Sequence, residues 1–161
     1  MGNLLSIFNV GDLLSIFKGV YTEGARVYNS AAIATADSVL TTLTFDTERY
    51  DTDSIHDLAT NTGRLTCKTA GKYLITTIAE FAFNATGRRQ VYIKLNGTTY
   101  IGALIIDPCQ VVAGTTMTAT CIYDLAVNDY VECQVYQTSG GALNINASGN
   151  TSPEFMMQRI G

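Results

Sequence analysis

GKYLITTIAEFAF, residues 71–83, sets the fold class of this chain. Its apolar side chains recur at every second position, Tyr73, Ile75, Ala79, Phe81 and Phe83, which is the period of a strand and not of a helix. β-Branched and aromatic residues fill the stretch, and its one glycine stands at the head. Leu74 and Ile78 make part of the opposite face apolar too, so the strand is expected to bury both sides, one of them against another subunit. Tyr73, Ile75, Phe81 and Phe83 are accordingly candidate subunit-interface residues.

The same vocabulary runs outward from this stretch. RRQVYIKLNGTTYIGA, residues 88–103, places Val91, Ile93 and Leu95 on one face and then supplies Asn96-Gly97, a strong signal for a two-residue type I′ hairpin. That turn predicts Leu95 opposite Thr98 and Ile93 opposite Tyr100. In GTTMTATCIYDLAVNDYVECQVYQT, residues 114–138, Met117, Ala119, Cys121 and Tyr123 alternate, as do Val131, Cys133 and Val135. A hairpin with its turn over Leu125 to Asp129 would set Cys121 opposite Cys133. About eight strands and a last apolar one, Phe155 to Ile160, with no helical period, predict an all-β jelly-roll sandwich over residues 25–161.

Composition narrows the function. The chain has 161 residues, the size of one domain, and is 47% hydrophobic and 15% charged. Ten Lys+Arg against fourteen Asp+Glu leave a net charge of −4, so no basic field collects phosphates and no nucleic-acid partner is expected. One histidine, four cysteines without C-x-x-C spacing and no glycine-rich phosphate loop supply no triad, zinc knuckle or nucleotide pocket. A structural or binding module is expected, not an enzyme.

Residues 1–24 read differently. LLSIF occurs at 4–8 and again at 13–17, so Leu4, Leu5, Ile7 and Phe8 are repeated as Leu13, Leu14, Ile16 and Phe17. An offset of nine residues turns the two copies to opposite sides of either a helix or a strand. They read as two docking pegs jointed at Gly11, forming an arm that anchors the domain to a larger particle; the alternative is one amphipathic helix packed on its own domain or sister subunits. Ser6, Asn9, Asp12 and Ser15 interrupt the arm well short of the ~20 apolar residues of a membrane span. The first basic residue, Lys18, follows the apolar stretch, so Sec-type export is not expected either. Gly2 with Ser6 fits the loose N-myristoylation pattern, which matters only in a eukaryotic cell.

Few residues offer chemistry. Asp46, Glu48, Asp51, Asp53 and Asp57 crowd together, but the spacing fails the EF-hand calcium pattern; a solvated loop of local hydrogen bonds without a cofactor is expected, with a calcium site at these carboxylates as the alternative. His56 can pair with Asp57, yet no nucleophile accompanies it, so it reads as structural. Arg88 and Arg89 are candidate contacts for acidic sugars or for a neighbouring subunit's carboxylates. Tyr130 and Tyr136, with Glu132 and Gln134 on the same face, are candidate contacts for a carbohydrate or protein, or a face covered by a sister subunit. A disulfide between Cys121 and Cys133 is conceivable, but free thiols are expected for a protein made in a reducing cytoplasm.

The order of the pieces resembles the globular head of the complement first component's q subunit, a jelly-roll family related to the tumour-necrosis-factor fold. The carriers are Phe45, RYDTDSIHD at 49–57, Arg64-Leu65-Thr66, AGKYLITTIAEF at 70–81, NATGRR at 84–89, YIKLNGTTYI at 92–101 and LAVNDYVECQVYQ at 125–137. The wording is similar to the bacteriophage and bacterial branch, and no collagen-like repeat precedes the domain. The resemblance implies a non-enzymatic homotrimer with binding loops at its distal end. Together with the arm it implies a bacteriophage virion protein made in the host cytoplasm. Capsid decoration anchored on other virion proteins such as the major capsid protein comes first. A tail-associated head that binds a host glycan or protein, and a bacterial surface adhesin, are the alternatives.

Overall fold

The computed structural model describes residues 21–108 and 113–161. Among them are twelve strands and no helix. They are β1 (Gly24–Tyr28), β2 (Ile33–Thr35), β3 (Thr41–Thr42), β4 (Thr47–Asp51), β5 (Arg64–Thr66) and β6 (Gly71–Phe81), then β7 (Arg89–Leu95), β8 (Thr99–Ile106), β9 (Thr115–Leu125), β10 (Tyr130–Gln137), β11 (Leu143–Ile145) and β12 (Glu154–Arg159). The arm residues Leu4, Leu5, Ile7, Phe8, Leu13, Leu14, Ile16 and Phe17, and also Cys109, lie outside the described residues.

Two antiparallel sheets face each other as a jelly-roll sandwich. In the first, β6 is flanked by β9 and β12, β1 follows β12 and β4 follows β1, while the short pair β11 and β2 joins at the Phe81 end of β6. In the second, β10 pairs with β7, β7 with β8, and the short strands β3 and β5 both pair with β10. The ladder between β6 and β9 runs through all eleven residues of each strand.

Strand parity makes the core. Tyr73, Ile75, Thr77, Ala79 and Phe81 project from β6 toward the second sheet and are fully buried, as are Val91 and Ile93 of β7 and Val131, Cys133 and Val135 of β10. Phe45 stacks on Phe155 at 5.8 Å between ring centroids. Thr77 Oγ1 lies 2.9 Å from Cys133 Sγ, a polar contact that ties the two sheets across the middle of the core. Tyr73, Ile75 and Phe81 therefore serve the interior of a single chain, which corrects their assignment to a subunit interface. Phe83 lies beyond the end of β6 and is 43% exposed.

Two hairpin expectations also change. Asn96 and Gly97 adopt positive φ of 48° and 66°, and Thr98 N donates to Leu95 O at 3.0 Å, as the turn chemistry requires. The connection spans three residues, 96–98, which sets Leu95 opposite Thr99, and a register shift between Ile93 and Lys94 then sets Ile93 opposite Gly102. The segment after β9 is not a hairpin at all, because it carries the chain from the first sheet to the second. Cys121 sits opposite Ile75 and Cys133 opposite Ile93, so the two cysteines are not cross-strand partners. Cys67, Cys121 and Cys133 are free thiols.

One buried carboxylate fastens the outer strands. Glu154 of β12 is fully buried and accepts from Arg26 Nε of β1 and, at 2.7 Å, from Arg49 Nε of β4. The same guanidinium groups donate to the carbonyls of Asn150 and Gly149, so three strands and the loop before β12 are joined at one point. At the other end of β1, Gly24 N donates to Thr52 Oγ1 and Thr52 N donates to Gly24 O, both at 2.9 Å.

Two outcomes follow from this packing. Glu154→Ala leaves two guanidinium groups facing a cavity, and urea unfolding is expected to show a loss of about 3 kcal/mol. Burial pushes the Cys133 thiol up to about 12, against the opposing hydrogen bond from Thr77. Alkylation of the folded chain at mildly alkaline pH, with each cysteine read by mass spectrometry, is expected to spare Cys133 until denaturant is added.

Candidate functional site

Residues 52–63 connect β4 to β5, and their polar side chains fold the backbone back on itself. Asp51, the last residue of β4, accepts from the N–H groups of Asp53 at 3.1 Å, Ile55 at 3.0 Å and His56 at 2.8 Å. Ile55 inserts into the core beneath this cap. The His56 ring, fully buried, sets Nδ1 3.0 Å from Glu48 Oε1 and Nε2 3.0 Å from the Thr62 carbonyl. Its partner is thus Glu48 and not Asp57. Asp57 instead closes an Asx turn, accepting from Ala59 N at 2.8 Å and Thr60 N at 3.0 Å. The crowded carboxylates are spent separately: Asp46 accepts from Ser30 and Thr47, far from the Asp51 cap.

This loop walls a pocket of about 480 Å³. Ser54 and Asn61, both in the left-handed region at φ 52° and 54°, stand on its rim. Arg64 and Thr66 of β5 and Tyr130 of β10 form the opposite side, with Lys68 beyond them. The β5–β10 register puts Thr66 opposite Tyr130 and Arg64 opposite Glu132. Arg64 Nε donates to Glu132 Oε1 at 2.9 Å, and its guanidinium carbon lies 4.0 Å from the Tyr130 ring centroid. Its two terminal nitrogens make no hydrogen bond among the described residues. Tyr130 is held in turn by the Asn96-Gly97 turn: Tyr130 N donates to Asn96 Oδ1 and Asn96 N donates to Tyr130 O, both at 2.9 Å. A second depression of about 300 Å³ adjoins the first, sharing Asn61 and Arg64 and continuing over Thr42 and Glu132.

The geometry redistributes the sequence candidates. Tyr130 lies in the pocket, while Tyr136 lies further along the same face of β10, opposite Gln90. Arg88 is exposed and 3.6 Å from Asp107. Arg89 is fully buried: its guanidinium donates to the carbonyls of Asn84, Thr86 and Arg88 and plugs the end of the sandwich beside Phe81, so it is no ligand contact. Desolvation holds its pKa below the ordinary arginine value. The pocket cations are Arg64 and Lys68, which sequence reasoning did not single out. Both ring nitrogens of His56 are engaged within the fold and its side chain is buried.

No family model matches the chain, and no curated protein matches its sequence. Solved structures do match in fold. The globular domain of a zebrafish complement 1qA protein aligns with a TM-score of 0.59 at 15% identity, covering 87% of this chain and 98% of that one. Murine APRIL, in a crystal structure at pH 8.0, aligns with a TM-score of 0.64 at 11% identity, covering 85% of this chain and 98% of that one. At such identities the likeness is one of fold, and the all-β sandwich is the jelly roll of these complement and tumour-necrosis-factor-type domains.

The Asx turn carries a pH signature. The N–H groups of Ala59 and Thr60 hold the Asp57 carboxyl below the ordinary carboxylate range, with Lys68 adding in the same direction. A depressed folded value means the turn's contribution is present at neutral pH and is lost as pH falls through that lowered value. In an NMR titration the amide resonances of Ala59 and Thr60 are expected to move together with the Asp57 carboxyl, below the range where an unstructured aspartate titrates.

Proposed function

We propose that this chain is a non-enzymatic, homotrimeric head displayed on a bacteriophage virion, most directly as a capsid decoration, with residues 1–24 as its anchor. The observation that carries the reading is the outward face of β6 and β9. Leu74 and Ile122 face each other across the ladder at 40% and 61% exposure. Next to them Thr76 Oγ1 lies 3.1 Å from Thr120 Oγ1, and Ile78 follows opposite Thr118. A flat face of threonine and aliphatic side chains, uncharged from 74 to 78, suits burial against copies of itself. It lies on the same strand as the residues singled out from sequence, with the opposite parity.

Three copies joined through this face would present three LLSIF arms to one particle, so weak docking of each is multiplied by avidity. The groove beside Arg64 supports the second reading, a tail-associated head that recognises a host surface, because decoration alone has no use for a preorganised polar pocket.

Sedimentation of the full chain is expected to give about 52 kDa, three times the 17.3 kDa chain. Leu74→Lys with Ile122→Lys is expected to return a folded 17.3 kDa species. Deletion of residues 1–20 is expected to leave the trimer intact and empty the particles of it in cryo-electron maps. Density at capsid threefold positions supports decoration and density at the tail supports the receptor reading. A monomeric wild-type chain, or absence from every particle, overturns the proposal in favour of an adhesin or another module.

A further inference from the structure

We propose that the paired depressions around Arg64 bind an acidic saccharide: a sugar carboxylate rests on the Arg64 fork in the larger depression, and the next sugar unit lies over Asn61 and Thr42 in the smaller one. The inference rests on reading the chain as a binding head and names the ligand class of that head.

Arg64 is preorganised. Its Nε is committed to Glu132 and its plane to Tyr130, which leaves the terminal pair of nitrogens as a planar, two-pronged donor. That shape matches a carboxylate, whereas an ammonium would offer only a point charge. Around it the lining is polar: Ser54, Thr60 and Thr66 supply hydroxyls and Asn61 an amide, the complement of sugar hydroxyls. The volume of about 480 Å³ falls within the range of about 300–1,000 Å³ for small-ligand sites, and among the described lining residues Ile55, His56 and Tyr130 are the large apolar or aromatic ones, with both nitrogens of the buried His56 ring already engaged. An apolar ligand finds little to bury against. One face of Tyr130 is already covered by the guanidinium, so the stacking plate that a nucleobase would use is reduced.

Charge sets the expected strength. Arg64 and Lys68 are balanced by Glu132 and Asp57, so the groove is electrically neutral in a chain of net charge −4. Recognition then comes from the geometry of the fork and the hydroxyl lining and not from a broad positive field. A single site of this kind binds weakly, and repetition on an oligomer raises it. The left-handed backbone at Ser54 and Asn61, both on the rim, is the kind of strain that a surrounding network retains at ligand sites. Here that network is the Asp51 cap, the His56 tether and the Asp57 turn.

Isothermal titration of the full chain with trigalacturonate and with sialyllactose, against neutral maltotriose, tests the proposal. At least one acidic saccharide is expected to bind in the millimolar range or tighter, with maltotriose weaker by about tenfold or more. Arg64→Lys is expected to weaken the acidic ligand about tenfold while leaving the residual maltotriose signal unchanged, because the fork is lost and the charge kept. Lys68→Ala, at an exposed position, is expected to weaken it several-fold and carries the test if Arg64→Lys fails to fold by circular dichroism. Arg88→Ala is expected to change nothing. Binding of neither acidic saccharide, equal binding of maltotriose, or indifference to the Arg64 and Lys68 substitutions overturns the proposal. A trimer found on particles that binds neither acidic saccharide sinks the groove alone, and an acidic-saccharide binder absent from particles sinks the display reading alone.

Discussion

Every residue of a strand must choose one side of its sheet, and the eleven-residue pairing of β6 with β9 makes that choice for the whole molecule. Side chains at 73, 75, 77, 79 and 81 are drawn into the space between the sheets, where Cys133, Val131 and Ile93 meet them from the other side. Residues 74, 76 and 78 are thereby turned outward, however apolar they are. A slip of one residue would place Lys72, Leu74 and Glu80 in the core and eject Tyr73 and Phe81, which this interior has no room or charge partners to accept.

The same constraint explains what was legible beforehand. The two-residue period of GKYLITTIAEFAF, the Asn96-Gly97 turn and the alternation along residues 114–125 and 130–137 are local signals, and the observed strands follow them. What local signals lack is the identity of the partner strand. Cys121 and Cys133 look symmetric about Val127, yet the chain between them changes sheets, and no pattern within that segment announces the crossing. With apolar residues on both faces of β6, the sequence does not say which face is the interior. Arg89 was readable in principle: the alternation that buries Val91 and Ile93 buries Arg89 too, and only its charge argued for the surface.

The groove was not readable in the same way. Arg64 and Tyr130 are far apart in sequence and meet because a three-residue strand, β5, pairs with the first residues of β10. RLT alone is too short to declare itself a strand against neighbouring loops. In the acidic stretch before it, Asp46, Asp51 and Asp57 spend their carboxylates on local hydrogen bonds, while Asp53 Oδ2 is buried without a partner among the described residues. The consequence of those bonds, a stiff wall facing two basic residues, depends on β5 lying where it does.

The way β1 is held has a mechanical meaning. It runs between β12 and β4, is clasped by Thr52 at Gly24 and is pinned near its middle by the salt bridge of Arg26 with Glu154. The chain preceding Gly24 enters the domain through this strand. Tension along it meets the ladders on both sides of β1 in shear, where many hydrogen bonds must fail together, and not at an edge that opens one pair at a time. A pull on the chain ahead of Gly24 therefore loads two ladders at once instead of peeling a single edge.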